Sequence, residues 1–214
     1  MRLVAENLGA SRGGDPVFSG LSFSLAAGEA LIVTGPNGVG KSTLLRVIAG
    51  LLRADTGLIA LERDHGAEAG VLAENSHYLG HRNGMKRELT VSENLDFWQT
   101  FMVMEGDAAR MPVADACAVL NLDHVLHLPY GYLSAGQQRR IAMARLLLSH
   151  RRLWILDEPT AALDLAAEEA FAGMVNRHLD DGGLAVIATH QPLAIARQAT
   201  LSMRARAQDE GALS

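Results

Sequence analysis

Residues 35–43 read Gly35-Pro36-Asn37-Gly38-Val39-Gly40-Lys41-Ser42-Thr43, which has the phosphate-cradle spacing G-x-x-x-x-G-K-[ST]. Before it, Ala30-Leu-Ile-Val-Thr34 is a short apolar run of strand type; after it, Leu44-Leu-Arg-Val-Ile-Ala49 has helical spacing that stops at Gly50. Strand, loop and helix in that order are the context in which such a loop holds a nucleoside triphosphate. Glycines at 35, 38 and 40 let successive backbone N–H groups turn toward phosphate oxygens, and the helix N-terminus adds partial positive charge. Lys41 is placed to bridge the β- and γ-phosphates, and Ser42, with Thr43 beside it, to offer a hydroxyl to Mg²⁺. The bland alternative, an accidental glycine-rich turn, is disfavoured by the strand and helix that flank it.

Further along, Leu153-Trp-Ile-Leu-Asp-Glu158 places two carboxylates at the end of an apolar strand, where the ligand crevice of a parallel sheet lies. Asp157 is the candidate for the Mg²⁺ shell, and Glu158 for polarising a water that attacks the γ-phosphate in line. Neighbouring side chains on a strand point to opposite faces, so both roles require the strand to end here, and Pro159 ends it. A merely solvated strand end is the competing reading.

Composition bounds the rest. A chain of 214 residues with 49% hydrophobic content fits one large domain, or one domain with a subdomain. Cys117 is the only cysteine, so no internal disulfide or cysteine-rich zinc site forms; a buried small hydrophobe is its expected role. No apolar run approaches the ~18 residues that span a bilayer, and residues 1–20 lack a signal peptide's apolar core. The expectation is a cytosolic protein that touches a membrane only through a partner. Net charge is −5 with no block of lysine and arginine, so no nucleic-acid partner is expected. The pairs Arg139-Arg140 and Arg151-Arg152 are expected to cover helix ends or to form local salt bridges.

Short strands are expected at Leu3–Asn7, Leu21–Leu25, Ala30–Thr34 and Gly57–Glu62, with turns at Gly13-Gly14 and Ala27-Gly28-Glu29. From about 82 to 150 the pattern becomes helical. Thr90 and Glu93 form a capping box opening a helix over 91–104, a second helix covers 113–120, and a third follows Ser134, paired with Gln137. Alternation resumes with a buried strand from Leu153, a helix from Leu165 to Leu179 and a strand from Leu184 to Ala188. Unbroken apolar runs indicate parallel strands covered on both faces, hence an α/β nucleotide-binding core carrying a helical insertion.

Leu133-Ser134-Ala135-Gly136-Gln137 alone reads as an ordinary helix cap. Lying shortly before the Leu153 strand and combined with the P-loop, it resembles the signature sequence of ATP-binding cassette (ABC) ATPases, and the resemblance covers nearly the whole chain. It implies an ABC-type P-loop NTPase domain with an antiparallel β subdomain and an inserted helical subdomain. Residues 1–81 and 151–214 would form the core and about 82–150 the helical subdomain. It further implies that Asp164, in Ala161-Ala-Leu-Asp164, is the D-loop residue, that His190 is the switch histidine sensing the γ-phosphate, and that ATP and Mg²⁺ are the cofactors. Two chains would pair head to tail as a homodimer, each signature helix N-terminus clamping the triphosphate in the other's P-loop.

Two positions depart from the family pattern. Where an aromatic residue usually stacks on adenine, Ser11-Arg-Gly-Gly-Asp15 offers Arg12, whose guanidinium plane can also stack. Where a Mg²⁺-contacting glutamine usually ends the strand, Tyr78-Leu-Gly-His81 offers His81, which would keep the contact but make it pH-sensitive. Leu79-Gly-His-Arg-Asn-Gly-Met-Lys86, followed by Leu89-Thr-Val-Ser-Glu-Asn-Leu95, is similar to the cytochrome c maturation protein A family. That likeness implies peripheral attachment to the cytoplasmic face of the bacterial inner membrane through integral membrane subunits of the cytochrome c maturation complex. ATP hydrolysis would then power haem export or release of a haem-loaded chaperone. The groove near His81–Leu95 is the expected docking face, with Phe97, Trp98, Phe101 and Met102 as an apolar stripe beside it. The alternatives are the ATPase subunit of another small ABC transporter, a nucleic-acid or ribosome-associated ABC ATPase, and a nucleotide sensor without turnover. The second usually needs coiled-coil insertions or fused cassettes, and the third is disfavoured by Glu158 and His190.

Overall fold

A computed structural model describes residues 1–63, 70–102 and 111–204. Its strands are β1 (Arg2–Arg12), β2 (Asp15–Ala26), β3 (Ala30–Thr34), β4 (Thr56–Glu62), β5 (Ser76–Leu79), β6 (Leu153–Asp157), β7 (Leu184–Ala188) and β8 (Gln198–Ser202). Its helices are α1 (Lys41–Ile48), α2 (Leu72–Asn75), α3 (Val91–Phe101), α4 (Val113–Ala118), α5 (Ala135–Leu148) and α6 (Leu165–Asp180). Short 3-10 turns at Asp123–Val125 and Tyr130–Tyr132 lead into α5.

Two sheets organise the molecule. Strands β2, β1 and β4 form an antiparallel sheet in that order, and β5-β6-β7-β3-β8 form a parallel one. Alternate residues of the central parallel strands enter different cores. Leu31, Val33, Ile155 and Val186 pack with α1 and the inner face of β1, whereas Ile32, Trp154, Leu156 and Ile187 pack with α5 and α6. This two-sided burial explains why those strands carry apolar runs with no polar alternation. The hairpin joining β1 to β2 turns through Gly13 and Gly14, both at positive φ (62° and 93°), as a tight two-residue hairpin requires.

The antiparallel pair runs longer than the expected Leu3–Asn7 and Leu21–Leu25 because register shifts let pairing continue past irregular positions. Strand β8 had no expectation. It is a mostly exposed edge strand whose place is set by its ladder to β3, so it lacks an apolar signature. Helix α4 ends at Ala118, two residues short of the expected end, and α3 runs over Val91–Phe101; the expected continuation to residue 104 lies outside the described residues, as does the loose tail expected at 205–214. Cys117 is fully buried, and burial pushes its thiol up to about 12, which leaves it a packing residue. Among the described residues, no helix is long and apolar enough to cross a membrane.

Candidate functional site

Helix α1 begins directly after the glycine-rich loop. Its N-cap is Gly40 at φ 106°, with no side-chain cap and no acidic residue in the first turn. A Cβ at Gly40 would strike Val17 of β2, so both conformation and space demand glycine. The partial positive charge of the helix end is therefore left for an external anion. Lys41, buried, folds back over the loop: its Nζ donates to the carbonyls of Gly35 (2.8 Å) and Pro36 (3.1 Å) and lies 3.0 Å from His190 Nε2.

His190 follows β7. Its Nε2 is 2.8 Å from Asn37 Oδ1 and 3.4 Å from Glu158 Oε1 as well as near Lys41. One ring nitrogen accepts from the lysine in one tautomer and donates to the oxygens in the other, so it cannot satisfy all three at once. Such a group is set to rearrange when an anion enters.

Strand β6 ends at Asp157, one residue before Glu158, and Glu158 adopts φ 46°. An L-residue in this left-handed region costs roughly 1–2 kcal/mol. The turn breaks the strand alternation, so both carboxylates border the same cleft. The expectation that the strand must end here is met by this backbone turn, ahead of Pro159. Asp157 is 1% exposed, and its Oδ2 has no hydrogen-bond partner among the described residues; His81 Nε2 stands 3.6 Å from it. A buried carboxylate oxygen with nothing to accept is a hard anionic donor, and Ser42 lines the same cleft, so the set suits Mg²⁺. Among the described residues, no group of three or more His, Cys, Asp or Glu could hold a metal alone, so a cation here would share its ligands with a bound phosphate.

Together these groups wall a cleft of about 540 Å³. Its lining is drawn from Arg12 and Val17 on β1 and β2, from Asn37, Gly38, Gly40, Lys41, Ser42 and Thr43 of the loop and α1, and from His81, Asp157, Glu158 and His190 at the ends of β6 and β7 or after β5. Pro36 and Val39 border a smaller recess of about 380 Å³ shared with Arg12, and Gly35 contributes its carbonyl to Lys41. Arg46, on the α1 face toward the cleft, also lines it. The sequence reading missed it because an arginine in mid-helix carries no local mark of a ligand.

The signature residues do not reach this cleft. Ser134, Gly136 and Gln137 border a separate recess of about 360 Å³ with Leu163 and Asp164. Ser134 is the N-cap of α5, and the expected box is closed: Gln137 N–H donates to Ser134 Oγ (3.3 Å), and Ser134 N–H donates to Gln137 Oε1 (2.9 Å). A Cβ at Gly136 would lie 2.9 Å from the Ala162 carbonyl, whereas the preceding position tolerates Ala135. Leu133, largely buried, anchors the approach. Asp164 Oδ1 caps α6 by accepting from Ala167 N–H (2.8 Å).

The arginine pairs divide. Arg140, Arg151 and Arg152 donate to the carbonyls of Leu120, Met102 and Asp181, at or near the C-terminal ends of α4, α3 and α6. Arg139 instead is buried and donates to carbonyl oxygens of Asp157, Glu158, Pro159 and Gly80 and to Asn83 Oδ1. Arg145 holds the carbonyls of Tyr78 and Asn83 (both 3.0 Å) and lies 4.1 Å from the Trp98 ring centre; burial lowers its pKa to about 10. The apolar stripe on α3 splits accordingly: Trp98 turns toward Arg145, Met102 is half-buried, and Phe97 and Phe101 stand 54% and 69% exposed.

The ABC transporter family profile matches residues 18–161. The cytochrome c biogenesis ATP-binding export protein CcmA of Rhizobium meliloti is 57% identical over 203 residues, covering 95% of this chain and 98% of the relative. The protein of the same name from Agrobacterium fabrum is 52% identical over 204 residues, covering 95% of each chain. Among solved structures, an ABC transporter ATP-binding protein from Pyrococcus furiosus superposes with a TM-score of 0.77 at 23% identity, over 94% of this chain and 98% of the other; this likeness bears on the fold.

Proposed function

This chain belongs to the ABC transporter ATP-binding family and, within it, to the CcmA group, and from that premise we propose that it is the ATP-hydrolysing subunit of a membrane complex for cytochrome c biogenesis. The work done is haem export or release of a haem-loaded chaperone. Integral membrane subunits would hold the chain at the inner face of the bacterial inner membrane, docked on the groove near His81–Leu95 with exposed Phe97 and Phe101 beside it. Residues 82–150 form the arm that carries the signature, and the rest the nucleotide-binding core.

The observation that carries the reading is the gathering, in one cleft, of an uncapped helix N-terminus, a buried lysine, two strand-end carboxylates and a histidine. The loop N–H groups and Lys41 bind the phosphates, Lys41 exchanging the Gly35 and Pro36 carbonyls for phosphate oxygens. Arg12, with Val17 beside it in the cleft lining, shelters the base. Ser42 and Asp157, with His81 near, would hold Mg²⁺, which when bound neutralises charge on the phosphates. Glu158 takes a proton from the attacking water, and His190 leaves Lys41 and Asn37 to contact the γ-phosphate.

Because Ser134 and Gly136 border a different recess from Lys41, one chain holds only half of the triphosphate clamp. A second copy in a homodimer supplies the other half, with Asp164 beside the junction. Glu158→Gln tests the assignment. ATP affinity should stay within a few fold, phosphate release should fall by roughly 10²–10⁴, and the ATP-bound protein should sediment as a dimer. Turnover at the parent rate would place the base elsewhere.

A further inference from the structure

Arg139 is not part of the chemistry above, yet it touches the chain on both sides of it. A guanidinium has five N–H donors, and this one uses each: Nε to the Pro159 carbonyl (3.0 Å), Nη1 to the Gly80 carbonyl (2.8 Å) and Asn83 Oδ1 (2.9 Å), and Nη2 to the Asp157 and Glu158 carbonyls (both 2.9 Å). Its residue is 5% exposed, and burial lowers its pKa from the usual arginine value.

Three of the acceptors are successive carbonyls, Asp157, Glu158 and Pro159. In an extended strand, successive carbonyls point in opposite directions, so three in a row cannot meet one cation. They meet here because Glu158 sits at φ 46°. The fork therefore fits the turned backbone and not the extended one. Were Glu158 to relax into the extended region, its side chain would swing to the face opposite Asp157 and leave the cleft. The remaining two acceptors, Gly80 and Asn83, flank His81, so one side chain ties together both segments that face the P-loop. Asn83 is itself oriented for this, donating from Nδ2 to the Tyr130 hydroxyl (2.9 Å).

We propose that Arg139 is a positioning residue for hydrolysis: by bonding the carbonyls of residues 157–159 it holds Glu158 in its left-handed conformation and aims the carboxylate at the water site. This rests on the assignment of Glu158 as base. It accounts for a buried guanidinium whose five donors are all used, since only complete pairing offsets desolvation. Lysine keeps the charge but has three donors on a single nitrogen, and cannot satisfy five acceptors spread over two segments.

The test uses the full chain carrying Arg139→Lys and, separately, Arg139→Gln, with ATP Kd, kcat and thermal midpoint measured for each. For Arg139→Lys the expected result is a Kd within threefold of the parent, a kcat at least tenfold lower and a cooperative thermal transition. Placed in the Glu158→Gln background, the same change should lower the residual rate no further. An unchanged kcat, a parallel loss of binding and rate, or an additive loss in the double variant overturns the proposal; so does failure of both single variants to fold, which assigns Arg139 to stability alone. If Glu158→Gln by itself turns over normally, the base assignment fails, which is a separate result from any of these.

Discussion

The N-termini of α1 and α5 make an instructive pair. Neither has an acidic residue in its first turn. The α5 end completes itself: Ser134 and Gln137 satisfy each other's backbone N–H groups. The α1 end does not. Of the four helices of eight residues or more among the described residues, α3, α5 and α6 have side-chain caps, while α1 starts at Gly40 with none. A capped end is stable before any ligand arrives; an uncapped one beside a buried lysine leaves its partial positive charge unanswered by its own side chains. The α1 end leaves its N–H groups for an outside anion, whereas the α5 end is already satisfied within its own helix.

Lys41→Ala breaks this contrast most severely. It removes the cation from the uncapped end, and ATP affinity and turnover together should fall by roughly 100- to 1,000-fold, measured by nucleotide titration and phosphate release. Retained affinity would mean the backbone N–H groups alone carry the binding.

Ser134→Ala probes the other end. Loss of the cap costs about 1 kcal/mol, a fall in thermal midpoint of about 2–4 °C for a chain of this size. Turnover should drop well beyond that fraction of stability if the end also clamps triphosphate in a partner. A stability loss with an unchanged rate would leave Ser134 as a cap only.

His81→Gln is the mildest. The side chain is 60% exposed and stands 3.6 Å from Asp157 Oδ2, and an amide at this position can also reach toward the cleft, so turnover should stay within about fivefold of the parent. A larger fall in phosphate release would give the imidazole a role that an amide cannot fill.

Local features were readable in advance because short-range chemistry sets them. The turn at Gly13-Gly14, the boxes at Thr90/Glu93 and Ser134/Gln137, and the stop of α1 before Gly50 each depend on residues within a few positions of one another. In sequence, Arg139 is expected to cover a helix end or to form a local salt bridge, because its partners lie from 18 to 59 residues away and include four main-chain carbonyls, which carry no side-chain signature. Strand β8 escaped for a related reason: Gln198–Ser202 is mostly exposed, and only pairing with β3 makes it a strand.

The sequence by itself determined the α/β class, the phosphate loop and the identities of the groups that face it, since glycine spacing, apolar period and caps act over one or two turns of chain. The tertiary structure decided where those groups meet. It brought residues 12, 41, 81, 157, 158 and 190 to one cleft and kept 134 and 136 away from it. It also turned Glu158 against its own backbone preference, a strain that persists because bonds from a distant helix fit no other conformation.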